Sequence, residues 1–202
     1  VQHYGALASA ATAAGDLAIA SHPMRQFGQH WTVDELLRTE GILGMEVFSG
    51  DGIHVDQDRG FEMWDQVLSS GRRLWGFGND DFHHWGQERR VWNVVRAPQK
   101  TPEAILDAFR RGDFYVSTGF GFSEIVSDAR SITFRLRDDS ELFQRAYRYL
   151  TLYGKDGQVL AEKTGHFQEF TYPIRGDEGY VRAEAYMNGG YGAFSQPIWI
   201  TP

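Results

Sequence analysis

The 202 residues contain no cysteine. Thiolate zinc sites, cysteine nucleophiles and disulfide staples are therefore excluded, and any metal must be held by His, Asp or Glu. No apolar stretch approaches the roughly 18 residues that a membrane-spanning helix needs. Positive charge is scarce as well: 20 Lys and Arg stand against 27 Asp and Glu, for a formal net charge of -7. Nucleic-acid binding draws on Lys and Arg to neutralise phosphates, so neither nucleic acid nor a membrane is expected as a partner. An anionic small-molecule substrate stays open, because a bound divalent ion can dominate the local field. There is no Gly-x-Ser-x-Gly elbow, so a serine nucleophile is not expected. The opening Val1-Gln-His-Tyr4 lacks the basic region of a signal peptide and reads as the middle of a domain.

What is present suits a globular chain, long enough for one large core or two modest ones. Up to about Gly119, short apolar runs alternate with helical stretches. Residues 17–20 read as a buried strand ending at Ser21-His22-Pro23. Thr32-Val-Asp-Glu35 has the capping-box pattern and opens a helix that Gly41 ends. Strands follow at 44–48, 74–77, 91–95 and 114–116, with helices at 61–68 and 101–112, the last capped by Thr101 with Pro102 in its first turn. Such alternation predicts a parallel sheet or barrel. From about Phe120 a period of two takes over, at 132–137, 149–153 and 181–186. Asp156-Gly157 and Asn188-Gly-Gly190 mark turns, and a last strand is expected at 197–200. These features predict a small β-sandwich after a boundary near residues 119–126.

The residues that carry chemistry cluster after predicted strands. In Asn79-Asp80-Asp81-Phe82-His83-His84, an Asp-x-His pair at a strand end can aim a carboxylate and an imidazole at one point. Such oxygen and nitrogen donors suit zinc, manganese or iron. The competing reading is a polar surface loop in which Asp caps and His is solvated. His22 follows an apolar strand, at the kind of strand end where α/β barrels place active sites; alone, it reads equally as a strand cap. Two such features at equivalent strand ends favour a shared metal site. Glu46, ending an apolar strand close to the expected site, either supports a ligand or touches substrate, or bonds backbone. Asp80 orients the loop and is the competing ligand. His84 and Trp85 read as an exposed loop pair, with a pocket mouth as the alternative; His30, His54 and His166 read as solvated, with substrate contact the alternative for His54; and Trp31, Trp64, Trp75 and Trp92 read as core.

Four segments in order, Ser21-His-Pro23, Gly44-Met-Glu-Val47, Gly78-Asn-Asp-Asp-Phe-His83 and Ala104-Ile-Leu-Asp-Ala-Phe-Arg-Arg-Gly-Asp-Phe-Tyr-Val-Ser-Thr-Gly119, resemble the PHP superfamily, the polymerase and histidinol phosphatase metallohydrolases. The tail ending Ala193-Phe-Ser-Gln-Pro-Ile-Trp-Ile200 is similar to CehA/McbA-type members that append a β-module. The resemblance implies an α/β fold: the C-terminal part of a distorted, TIM-like (β/α)7 barrel at residues 1–120, then a β-sandwich-like domain at 121–202. It implies His3, His22, Asp81 and His83 as metal ligands and Arg25 as a contact to substrate phosphate; Glu46 and His84 are the other candidate substrate contacts. It further implies two or three divalent ions (Zn, Mn or Fe) in the intact protein. The family's opening His-x-His, a further His and a bridging Glu would all precede His3. The chain is accordingly expected to be a C-terminal portion, the rest of the barrel being supplied by another segment or chain. The implied activity is phosphoester hydrolysis by metal-activated hydroxide. Alternatives are amide or carbamate ester hydrolysis on the same centre, a non-catalytic binding or assembly module, and a zinc-stabilised structural domain.

Overall fold

A computed structural model describes residues 2–23, 31–50 and 60–200, with Gln2 and His3 described for their backbone alone. The chain divides into two compact units, Val1–Val116 and Ser117–Pro202. Among the described residues, thirteen strands lie in three sheets, accompanied by five short α-helices.

The first unit runs α1 (Gln2–Ala13), β1 (Ala18–Ala20), α2 (Val33–Arg38), β2 (Ile42–Ser49), α3 (Phe61–Ser69), β3 (Trp75–Asn79), β4 (Trp92–Val95), α4 (Pro102–Arg111) and β5 (Phe114–Ser117). Helix α2 starts where its capping box places it: Glu35 N donates to Thr32 Oγ1 (3.1 Å), and Thr32 N donates to the Glu35 carboxylate (2.7 Å). Its C-cap is Thr39, two residues before the expected stop at Gly41. Thr101 caps α4, and Gly112 closes it in the left-handed conformation at φ 75°. Strands β1, β2 and β3 form a parallel sheet in that order, with Ala20 beside Met45 and Met45 beside Gly76. Buried residues of the sheet and of α3 form the core here, Met45 and Val47 with Trp64, Val67 and Leu68; Trp64 Nε1 donates to Leu74 O (2.8 Å), while Phe77 meets Phe109 of α4 and Phe114 of β5 at 5.4 and 4.7 Å between ring centres. Burying each such side chain contributes roughly 1.5–3 kcal/mol. Two glycines of β3 make the packing possible. A Cβ on Gly76 would lie 2.7 Å from the Trp64 ring, and one on Gly78 2.2 Å from Val116 Cγ1.

The expected α/β class, with part of a TIM-like (β/α)7 barrel, is not what forms. The fold is mostly β and sandwich-like. Among the described residues, parallel pairing stops at β3. Strand β4 meets the edge of β3 through a side chain: Gly78 N donates to Asn93 Oδ1 (3.1 Å), and Asn93 Nδ2 donates to Gly78 O (2.8 Å). The amide thus occupies the ladder positions that the next strand of a barrel would need.

The second unit is all strands apart from one short helix and a 3-10 turn at Lys155–Gly157. Its elements are β6 (Phe122–Ser127), β7 (Ser131–Leu136), α5 (Glu141–Arg145), β8 (Arg148–Tyr153), β9 (Val159–Gly165), β10 (Glu169–Pro173), β11 (Tyr180–Met187), β12 (Gly192–Ser195) and β13 (Ile198–Trp199). One antiparallel run is β10-β7-β6; another is β12-β11-β8-β9, with β13 pairing on β11. The alternation read from sequence fills the core with Ile132, Phe134, Leu136, Leu150, Leu152, Val181, Ala183 and Ala185. The β8–β9 hairpin turns through Asp156 and Gly157, both at positive φ (61° and 67°), as an Asp-Gly turn requires. The sandwich-like character expected of this half is present.

Candidate active site

The first unit brings its chemistry together beside β2, just past the ends of β1 and β3. His22 lies two residues beyond β1, Glu46 within β2, and Asp81 two residues beyond β3. Glu46 is 1 % exposed and acts as the hub. Its Oε2 accepts from His22 N (2.8 Å) and lies 3.2 Å from His22 Nδ1, while its Oε1 accepts from Asn79 Nδ2 (3.2 Å). A carboxylate beside Nδ1 favours a proton there, which leaves the lone pair on Nε2. That nitrogen faces Asp81 Oδ2 at 3.5 Å.

Asp81 Oδ2 is buried and has no hydrogen-bond partner. Directed at one another in this way, His22 Nε2 and Asp81 Oδ2 are satisfied by a proton between them or by a cation bound to both. Both residues also sit in the left-handed backbone region, His22 at φ 52° and Asp81 at φ 48°. The conformation is uncommon even for Asp and His, and before Pro23 the α region is disfavoured further. Strain of this kind, held in place by surrounding bonds, is concentrated at functional sites.

The loop that carries Asp81 is tightly built. Asp80 accepts from the backbone N–H groups of Arg89 (2.6 Å), Arg90 (2.7 Å) and Val91 (2.7 Å), so both its oxygens serve the loop, and it is no competing ligand. Gln87 Oε1 accepts from His83 N (2.8 Å) and His84 N (3.0 Å). Arg90 spans the base, donating to Gly86 O (2.8 Å) and Gly50 O (3.2 Å). His83 Nδ1 donates to Asp81 O at 2.6 Å; a carbonyl only accepts, so the neutral ring keeps its lone pair on Nε2.

The structure therefore brings together His22, Glu46 and Asp81, with His83 adjacent, its Nδ1 4.0 Å from Asp81 Oδ2. Glu46 is buried and bonded to His22 N and Asn79 Nδ2, an arrangement that fits the supporting and backbone-bonding readings of it better than substrate contact. His84 is exposed, with Nδ1 directed at Trp85 O (3.2 Å). The side chain of His3 and the whole of Arg25, His30 and His54 lie outside the described residues. Asn79 and Gln87 went unnoticed in the sequence. An amide after a strand carries no pattern that separates it from an ordinary loop residue.

Whether these residues fit a metal can be judged from spacing and number. Bonds of about 2.0–2.1 Å at a tetrahedral angle set two donors about 3.3 Å apart, close to the 3.5 Å between His22 Nε2 and Asp81 Oδ2. In kind and spacing, that pair fits. In number the site falls short: among the described residues, no group of three His, Asp or Glu side chains is in place to hold an ion, so the expected shared centre of His22, Asp81 and His83 is not assembled as a three-ligand group. No protein-family model matches the chain, and comparison with curated proteins and with solved structures yields no match.

Proposed function

We propose that the chain is part of a metal-dependent hydrolase, in first place a phosphoesterase, centred on His22 and Asp81. The observation that carries the reading is the buried Asp81 Oδ2, without a hydrogen-bond donor and facing His22 Nε2 at 3.5 Å. The reading does not depend on a barrel. It needs only the segments that leave β1 and β3 to bring His22 and Asp81 together beside Glu46 of β2. A divalent ion bound there would acidify water and polarise a phosphoryl or carbonyl oxygen. The chain's own residues hold and orient: Glu46 fixes the His22 ring and its tautomer, Asn79 fixes Glu46, and Asp80 with Gln87 fixes the loop bearing Asp81 and His83. On this proposal the ligands beyond His22 and Asp81 come from His83, His3 or residues outside those described. Two or three ions of zinc, manganese or iron remain the expected complement, with a small molecule as substrate.

The test is turnover of a phosphoester panel in the presence of Mn²⁺ or Zn²⁺, followed by amides and carbamate esters. His22→Ala and Asp81→Ala are each expected to lower kcat/KM on the order of 100-fold or more. Turnover of carbamates alone would move the reaction class without moving the site. Full activity in both variants would remove the site. One observation favours a second reading, a non-catalytic module: the described residues close no three-ligand group. That module would turn over nothing on the panel.

A further inference from the structure

The loop that carries Asp81 and His83 also carries two aromatic side chains that the hydrolase reading leaves unused. Phe82, between the two, is 50 % exposed, and Trp85 is 87 % exposed. Their rings meet edge to face at 5.7 Å, and that contact still leaves most of Trp85 in water. A tryptophan so open contrasts with the buried Trp31 and Trp64 of the same unit, and an exposed large apolar side chain is informative where an exposed polar one is not. Nor is the loop a loose segment that exposes its rings by default. Asp80 holds three of its backbone N–H groups, Gln87 two more, and Arg90 ties its middle to Gly86 and its base to Gly50. Two rings on a pre-organised loop cost little further ordering when a ligand stacks on them.

The geometry points to Phe82 and Trp85 as specificity-determining residues that receive a planar apolar group of the substrate beside the His22–Asp81 centre. This inference rests on the proposed hydrolase site and deepens it: the preferred substrate is a phosphoester whose alcohol portion is aromatic. The placement supports that class over a plain alkyl phosphate. Phe82 is chain neighbour to both Asp81 and His83, and its contact with Trp85 puts the ring pair on the same held loop as the centre. Neither ring belongs to the core or to the bonds that hold the loop, so their removal leaves the frame intact.

The test compares two non-hydrolysable probes, phenylphosphonate and methylphosphonate, binding to the full chain in the presence of Mn²⁺ by isothermal titration calorimetry. Wild type is expected to bind the phenyl probe about tenfold more tightly than the methyl one. Phe82→Ala/Trp85→Ala is expected to lose that preference while binding methylphosphonate unchanged. No turnover on the phosphoester panel, with the phenyl preference present in wild type and abolished in the double variant, would sink the catalytic reading and leave Phe82 and Trp85 as a binding site for an aromatic phosphoryl ligand, not as determinants of a substrate. Equal affinity for the two probes in wild type, or a preference that survives in the double variant, would overturn the inference whatever the activity.

Discussion

Replacing Glu46 with Gln changes one atom of a buried hub and exposes how the site is held. The carboxylate has donors at both oxygens: His22 N at 2.8 Å on Oε2 and Asn79 Nδ2 at 3.2 Å on Oε1, with His22 Nδ1 a further 3.2 Å from Oε2. Glutamine offers one acceptor. If its oxygen stays on His22 N, its NH₂ confronts that of Asn79, which must turn over; the opposite orientation sets NH₂ against a fixed backbone N–H. Charge-assisted hydrogen bonds contribute about 1.5–3 kcal/mol and neutral ones about 0.5–1.5. Weakening one bond and disturbing the other costs about 2 kcal/mol, partly offset because a buried amide loses less hydration than a carboxylate. The expected net loss is about 1–2 kcal/mol for Gln and about 3–4 kcal/mol for Ala, which also leaves a cavity. Tryptophan emission reports the right part of the molecule, because Trp31, Trp64, Trp75, Trp85 and Trp92 fall in the first unit and only Trp199 in the second. With a urea slope of about 2 kcal/mol per M, the Gln midpoint drops by about 0.5–1 M. A Gln variant with the wild-type midpoint and slope would refute the hub. The same change should weaken metal affinity by about 10- to 100-fold, as loss of a ligand's supporting carboxylate does.

Gly78→Ala places a Cβ 2.2 Å from Val116 Cγ1 and 2.6 Å from Val91 Cγ1; it should cost about 1–3 kcal/mol, recovered in part by Val116→Ala, and a neutral Gly78→Ala in urea titration would contradict that packing. Asp80→Ala removes the acceptor of three backbone N–H groups. Hydrogen exchange at Arg89, Arg90 and Val91 should rise by on the order of 10- to 100-fold with α4 unchanged, whereas no change would show that the loop is held otherwise. In the second unit, burial alone would raise the pKa of the Glu178 carboxyl, but donation from Arg175 N, Gly176 N and the Tyr172 hydroxyl outweighs burial and holds it below the ordinary 4.5. A lowered folded-state value means that this stability is present above pH 4.5 and is lost as pH falls through the folded pKa. Glu178→Gln should therefore be destabilised at neutral pH and approach wild type as pH falls below the folded-state pKa, followed by circular dichroism, and a deficit independent of pH would contradict the assignment.

How far the sequence carried the structure depended on whether a signal was local. Thr32 with Glu35, Thr101 with Pro102, and Asp156-Gly157 each encode a cap or turn within four residues, and each forms. Helix α1 escaped because Gln2–Ala13 is rich in alanine and has no marked apolar face. Strands β6, β9, β10 and β12 escaped because their patterns are broken by exposed or fully buried positions. The (β/α)7 barrel was implied by the family resemblance, alternation leaving open a parallel sheet or a barrel. Alternation gives parallel pairing of successive strands, but what borders β3 is decided by Asn93, whose amide contacts Gly78 across fifteen residues. At the site, His22 and Asp81 were legible because each follows a strand, and Asp80 was rightly read as the loop's organiser. The depth of Glu46 was not legible. A single carboxylate in the run Gly44-Met-Glu-Val-Phe48 signals burial only once its partners, one of them on β1's exit and the other at the end of β3, are in place.

The most direct measurement is the divalent-metal content of the purified protein by elemental mass spectrometry, wild type beside Asp81→Ala/His83→Ala, with circular dichroism confirming that both are folded. The account predicts stoichiometric zinc, manganese or iron in wild type and its loss from the double variant, with the fold unchanged. Absence of metal from both folded samples, or metal retained in the variant, would contradict a centre built on His22 and Asp81.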